Sequence, residues 1–331
     1  MKRFAIAGFA IAGFAIAVCA LSFALPAWAQ TFPRTGQPIR VLVGFAAGGT
    51  TDIQARVVAP KLAELLGVPV LVENKPGAST MIAAQEVARA APDGHTILYT
   101  ANGAFVQNPH TLINVPYDPF RDFTPLSLGA RGPQLLLLHV SVPATNLKEL
   151  VTWGKANPGK LNIASFGTGS SSHIFAEMLM RQTGVEMVHI PYKGAGDAAK
   201  DLIGGTVQLM FDPATSALKN ASSGRLRIIG VAAETRSRFL PEVPTIDEQG
   251  YKGMNLTGWV GWYGPAGMAP GTVQKLNAAL VKVLSAPEVR EAFDRGAYEA
   301  ASSTPEELAA LTRDFYERWG KIVRDLGMKP Q

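Results

Sequence analysis

Cysteine is all but absent: Cys19 is the only one among 331 residues. It falls inside an N-terminal leader, so the mature chain has no thiol, and disulfide staples, thiolate metal sites and cysteine nucleophiles are excluded. Basic residues are scattered rather than clustered, which argues against a nucleic-acid surface. The formal charge of +5 drops by two when Lys2 and Arg3 leave with the leader. Beyond the leader no apolar run is long enough for a membrane span.

The leader has a charged start at Lys2 and Arg3, an apolar stretch from Phe4 to Leu25, and Ala27-Trp28-Ala29 ahead of Gln30. This pattern predicts a signal peptide, residues 1–29, cleaved after Ala29. An uncleaved anchor is the alternative. The stretch is rich in Ala and Gly and ends in small residues rather than a basic flank, which favours cleavage. A lipoprotein site at Cys19 fails because Val18 stands where a small residue is needed. Export without disulfides predicts a bacterial periplasmic protein, and about 300 remaining residues suffice for one large or two ordinary cores.

Two glycine-rich turns dominate what is present. Gly44-Phe45-Ala46-Ala47-Gly48-Gly49-Thr50-Thr51-Asp52 and Ser165-Phe166-Gly167-Thr168-Gly169-Ser170-Ser171-Ser172-His173 each run from an apolar strand into a helix. Glycine lets backbone approach a ligand, and the first amides of a helix have no intrahelical partner and carry partial positive charge. Neither turn contains Lys or Arg. Two such ends across a cleft suit a small carboxylate better than a nucleotide, whose phosphates recruit a lysine or a cation.

Apolar runs alternate with helical patterns from Ile39 onward, the signature of an α/β protein with mainly parallel sheets. Strands are expected at 39–45, 70–72 and 96–99, with helices at 52–66, strained by Pro60, and 81–90. A second series has strands at 135–138, 162–164, 187–190, 207–211 and 226–231, with helices from Asn146 and Ser171 and over 197–202. Asn146 with Glu149, and Thr304-Pro305 with Glu307, mark two helix starts. The last helix, from Pro305 to about Leu326, carries an apolar stripe of Leu308, Leu311, Phe315, Trp319 and Ile322. The aromatic-glycine alternation over 255–267 reads as a strand returning toward the first half. Placing the crossings near 129–133 and 250–259 gives a two-lobed α/β fold: residues 30–131 with 255–331 in one lobe and 132–254 in the other. The ligand would sit between them, at the carboxyl ends of the strands.

The chain resembles the periplasmic solute-binding receptors of tripartite tricarboxylate transporters, often called Bug proteins. The resemblance rests on ordered motifs: Phe45 to Asp52, Val72-Glu73-Asn74-Lys75-Pro76-Gly77-Ala78, Ala91-Pro92-Asp93-Gly94-His95, Tyr117-Asp118-Pro119-Phe120, Phe166 to His173, Pro191-Tyr192-Lys193-Gly194 and Gly261-Trp262-Tyr263-Gly264-Pro265. It implies a Venus-flytrap receptor that is not an enzyme, needs no cofactor, works as a monomer, captures a small organic acid and delivers it to membrane permease subunits. It also implies ligand contacts from Phe45, Ala47, Gly48, Gly49 and Asp52 and from Ser165, Gly167, Thr168, Gly169, Ser170 and His173. To these we add Thr50, Ser79, Thr80, Asn102, Tyr192 and Asp212 as candidates from their places in the pattern. Asp212 has an alternative role, capping the helix that begins at Ala214.

Three departures from the family pattern stand out. Gly44 replaces a frequent Pro and should loosen the start of its loop, Ser79-Thr80 replace a common Gly-Gly and bring two hydroxyls near the cleft, and Pro213 follows Asp212. A sensor subunit signalling to a membrane kinase fits the same residues. A serine hydrolase built on His173 does not, because neighbours at one helix start do not converge and the G-x-S-x-G elbow is missing. Gly167-Thr168-Gly169 lacks the third glycine of a dinucleotide fingerprint. The other histidines, His95, His110, His139 and His189, show no metal spacing.

Overall fold

Most strands form where the sequence supplies a short, nearly continuous apolar run, as strands covered on both faces require. A computed structural model describes residues 32–330; the leader and its cleavage site lie outside the described residues. In the first lobe Ile39–Val43 (β1), Val70–Asn74 (β2) and Thr96–Ala101 (β3) pair in parallel. The crossovers are Thr50–Leu66 (α1), which carries Pro60 inside it, and Met81–Ala88 (α2). Two short helices follow, Gly103–Val106 (α3) and Asn108–Thr111 (α4), and then strand Phe123–Gly132 (β4), none of which the apolar pattern announced.

The second lobe is built from Gln134–His139 (β5), Leu147–Ala156 (α5), Leu161–Ser165 (β6), Ser171–Thr183 (α6), Met187–Pro191 (β7), Ala195–Gly204 (α7), Leu209–Pro213 (β8), Ala214–Ala221 (α8) and Leu226–Ala232 (β9). The chain then returns through Gly258–Pro265 (β10), Pro270–Leu284 (α9), Pro287–Asp294 (α10), Glu299–Ala300 (β11) and Pro305–Asp325 (α11). The resulting sheets have six strands in the order β11-β4-β10-β3-β1-β2 and five in the order β7-β6-β8-β5-β9. Both are mixed. The parallel pairs come from the βαβ units, as the pattern predicts, whereas β10, β5 and β9 enter from the inter-lobe connections and pair antiparallel. Among the described residues no helix is long and apolar enough to cross a membrane.

A single residue, Pro133, separates β4 from β5. Strand β4 leaves the first sheet at the edge where β1 and β3 end, because β10 pairs antiparallel with both β3 and β4 and aligns Gly258 with Gly132. Strand β5 enters the second sheet beside the end of β8, with Gln134 opposite Pro213, and β6 runs parallel to β8. The carboxyl ends of the parallel strands in both sheets therefore border the same crossing.

Helix α11 braces this arrangement. Thr304 and Glu307 form the capping box that the sequence predicts. Its buried face is Leu308, Thr312, Phe315, Trp319 and Val323, with Leu311 and Ile322 only partly covered, so the stripe is rotated from the expected one. Phe315 lies 6.2 Å from Trp259 of β10, and Trp319 lies 5.4 Å from Phe175 of α6, so one helix packs on both lobes. Trp319 fills this junction at 1% exposure. Trp319→Ala is expected to cost about 3–5 kcal/mol, read as a lower urea midpoint with the slope preserved; a change under about 1 kcal/mol would show that the helix does not brace the lobes.

Candidate functional site

The first turn, residues 44–49, joins β1 to α1 and is organised by a buried carboxylate. Asp52, with a side chain 3% exposed, accepts hydrogen bonds from Gly48 N–H (2.8 Å), Asn74 Nδ2 (2.9 Å) and Arg56 Nε (2.9 Å). Burial alone would push this carboxyl up, but the donors from Arg56, Gly48 and Asn74 together hold it below its ordinary value. Asn74 also donates to the Phe45 carbonyl (3.0 Å), and Gly49 N–H donates to Ala46 O (3.2 Å). The amides of Gly48 and Gly49, which the sequence reading offered to a ligand, are thus spent inside the turn. What the turn presents instead is the start of α1, whose N-cap Gly49 has no side-chain cap, beneath the exposed Ala46, Ala47 and Gly48. Thr50 is the first residue of that helix.

Asn102 ends β3 at the same edge. Its N–H donates to Trp259 O (2.9 Å), and its carbonyl receives the Phe105 and Val106 amides. Beside it the chain takes an unusual path: Ala78, Ser79 and Thr80 have φ of 45°, 51° and 73°. Three successive non-glycine residues in the left-handed region cost roughly 1–2 kcal/mol each, at a place where glycine would adopt it freely. Asn108 of α4 holds the strained run by donating to Ser79 O (2.8 Å). Thr80 accounts for Gly44: a Cβ at position 44 would lie 2.7 Å from Thr80 Cβ. Gly44 is buried, so the expected loosening of the loop is corrected; the absent side chain makes room for Thr80.

The second turn, between β6 and α6, is largely self-satisfied. Ser170 caps α6, accepting from His173 N–H (3.3 Å) and donating to Gly167 O (2.6 Å). Gly169 N–H donates to His173 Nδ1 (3.0 Å). Ser165 is buried, its hydroxyl 2.7 Å from His189 Nε2, and its carbonyl receives Tyr192 N–H (3.0 Å). Tyr192 directs its hydroxyl to Asp201 (2.6 Å); burial and that hydrogen bond push its pKa up to about 12. Thr168 is half-buried, with no such internal bond described. Gly169, with φ of 77°, touches the other lobe, since a Cβ there would meet Thr111 Cβ at 2.7 Å. Thr111 and Asn108 both belong to α4, so this short helix contacts the second turn on one side and Ser79 on the other. A cavity of about 190 Å³ opens where Thr168, Gly169 and His173 meet Thr111 and Lys329.

Asp212 lies near the end of β8, which runs parallel to the β6 strand that leads into the second turn. It is 0% exposed, and its oxygens accept from Ser216 (2.6 Å) and Asn220 (3.1 Å) of α8. Burial pushes it up to about 6 against those two hydrogen bonds. These bonds organise the start of α8, in keeping with the capping role that the sequence also allowed.

Sequence spacing suggested no metal group, yet His173, Glu177 and His189 bring possible ligand atoms within 4.8 Å of one another. Two features disfavour an ion. The imidazoles stack at 4.0 Å with an interplanar angle of 14°, so their in-plane lone pairs do not converge. His173 Nδ1 accepts from Gly169, which puts the ring proton on Nε2, 3.4 Å from Glu177. These residues form a hydrogen-bonded support for the turn, and the fully buried Ser165 is no exposed nucleophile.

Two predictions follow from these contacts. Gly44→Ala should destabilise the protein by about 1–3 kcal/mol, and Thr80→Gly should suppress that loss; additive effects in the double mutant, measured by urea unfolding, would refute the contact. Burial, helped by His173, lowers the His189 pKa from 6.5 to about 4, so the unfolded state binds more protons between those values and stability falls as pH drops through them. Asp212 opposes this, because its folded pKa lies above the 3.8 of the unfolded group. His189→Gln is therefore expected to shrink the stability loss between pH 7 and 5, and Asp212→Asn to enlarge it. Parallel pH profiles for all three proteins would contradict both assignments.

Comparison with known proteins fits this architecture. Residues 54–328 match the model of the tripartite tricarboxylate transporter family receptor. The protein of the tcbD-tcbE intergenic region of Pseudomonas sp. strain P51 is 37% identical over 89% of this chain and 87% of its own. The structure of periplasmic binding protein BugD superposes with a TM-score of 0.80 at 35% identity, covering 90% of this chain and all of BugD. MatC of Rhodopseudomonas palustris with bound malate gives 0.78 at 32% identity, over 88% of this chain and all of MatC. A two-lobed α/β architecture and a match spanning most of the chain lead to one conclusion: it belongs to the family of tripartite tricarboxylate transporter receptors, solute-binding proteins rather than enzymes.

Proposed function

We propose that this protein is a periplasmic receptor that binds a small organic acid through its carboxylate, between a lobe of residues 30–131 with 255–331 and a lobe of residues 132–254, and passes it to a tripartite tricarboxylate-type permease. The leader would direct export and be cleaved after Ala29. The observation that carries the reading is the common border of the two turns: both lie at strand ends beside the Pro133 crossing, and α4 touches Ser79 through Asn108 and Gly169 through Thr111. A single small anion at that border is within reach of both lobes. The start of α1 and Thr50 supply donors from one side, and Thr168, through its amide and hydroxyl, supplies them from the other. That MatC holds malate supports a carboxylate ligand.

The energetics are sufficient without an arginine clamp. Micromolar capture needs about 8 kcal/mol, and hydrogen bonds to a charged group contribute about 1.5–3 kcal/mol each, so several donors suffice before ordering costs. Contacts completed by both lobes would favour the closed form, which is how a ligand drives a hinge.

A thermal-shift screen against organic acids tests this reading. An acid at about 100 times its Kd is expected to add about 2.7 kcal/mol of stability, and its methyl ester or amide should add far less. An absence of stabilisation by mono-, di- and tricarboxylates alike would refute the proposal. Uptake of the identified acid by cells carrying the permease should collapse when the receptor gene is deleted.

A further inference from the structure

Behind the Pro133 crossing the two sheets are tied together by charge. In the first sheet β10, β3 and β1 lie on one side of β4 and β11 lies on the other; in the second, β8 and β6 lie on one side of β5 and β9 on the other. The chain beyond β9 reaches across to the first sheet: Arg238 Nε donates to Glu299 Oε1 of β11 (3.1 Å), and its Nη2 donates to Asp294 Oδ1 at the end of α10. The β9 and β11 sides therefore face each other. The two glycine-rich turns, which follow β1 and β6, fall on the opposite side of the crossing. A second tie lies close by, where Thr215 of α8 donates its hydroxyl to the Gly296 carbonyl, between Asp294 and Glu299 in the chain.

Arg238 rests over the Phe239 ring at 4.3 Å, which limits the freedom of the guanidinium. Two carboxylates from different elements then share its donors. All three side chains keep contact with solvent, at 53% exposure for Arg238, 32% for Asp294 and 52% for Glu299. Ion pairs this exposed are individually weak and screened by salt. They add little to the stability of either sheet, but a weak tie is enough to bias two arrangements of similar energy. A rotation about the crossing that brings the turns together draws Arg238 away from α10 and β11.

We propose that Arg238, Asp294 and Glu299 form a strap behind the hinge that holds the unliganded receptor open and is broken when the cleft closes. This rests on the reading that the two lobes hinge over a carboxylate. Because the strap is made in the open form alone, it lowers the fraction of molecules ready to close, and the apparent affinity for any acid in the cleft falls with that fraction. Salt, by loosening the strap, favours closure.

The mature chain has no cysteine, so Leu71→Cys on β2 and Val188→Cys on β7, both exposed and at the outer strands on the turn side, accept a pair of nitroxide labels. Pulsed dipolar spectroscopy of the ligand-stripped protein then reads how far apart the lobes stand. Arg238→Ala is expected to raise the population of the shorter distance about threefold. Sodium chloride at about 0.5 M should do the same to the wild-type strap and add little to Arg238→Ala. Asp294→Asn combined with Glu299→Gln should repeat the shift from the partner side, which keeps the test open if Arg238→Ala fails to fold. Lys61→Ala, which removes an ion pair with Glu288 between α1 and α10 of the first lobe, should leave the distances unchanged.

A distance distribution in the strap variants identical to that of the wild-type protein, or shifted to longer distances, overturns the strap. Malate, adipate and citrate added to the same labelled protein separate this failure from that of the underlying reading. An acid that raises the melting temperature and shortens the distance, while the strap variants change nothing, leaves the hinged receptor standing without its strap. An acid that raises the melting temperature and leaves the distance unchanged overturns the hinge and the strap together.

Discussion

The chain passes from one sheet to the other through a single residue, Pro133, and the placement of both turns depends on that short crossing. Because β4 runs with β1 and β3 while β5 runs against β8, the crossing joins the carboxyl-end edge of one sheet to the carboxyl-end edge of the other. Glycine-rich turns follow the strands at those edges, so two segments more than a hundred residues apart in sequence come to lie on the sheet edges that the crossing joins. The return strand β10 closes the arrangement by aligning Gly258 with Gly132. A link this short holds the two sheet edges together, as the hinge closure proposed above requires.

The two turns reach similar shapes by different chemistry. In the first, a buried aspartate collects the Gly48 amide, Asn74 and Arg56, so a negative charge beneath the loop fixes its path and the uncapped start of α1 faces outward. In the second, Ser170 caps its own helix and His173 takes the Gly169 amide, so fewer donors remain free. In the binding mode proposed above, this asymmetry makes the first lobe the firmer half of the grip. The second adds Thr168 and the contact of Gly169 with Thr111.

Around this border the packing is coupled. Gly44 and Thr80 share one volume, and Asn108 steadies the strained run that delivers Thr80. Away from it, α11 spans both lobes through Phe315 and Trp319, so the closure proposed above would have to keep or repack an aromatic contact with Phe175. Gly44, Ser79 and Thr80 thus form one linked set of contacts.

Much of this was legible in the residues. Apolar runs marked β1 and the strands of the second lobe, the cap signals at Asn146 and Thr304 marked α5 and α11, and glycine patterning marked both turns, because these depend on short-range sterics and hydrogen bonding. Strand β4 was not legible, since its Pro, Gly and Ser break any apolar run and its pairing partners lie far along the chain. The long-range contacts were equally hidden: the loss of the Gly48 amide to Asp52, the burial of Asp212 under α8, the stacking of His173 on His189, and the fit of Gly44 to Thr80. Local propensity and periodicity fix most of the strands, helices and turns, whereas β4, side-chain partners and free donors are set by distances between segments remote in sequence, which only packing of the whole chain determines.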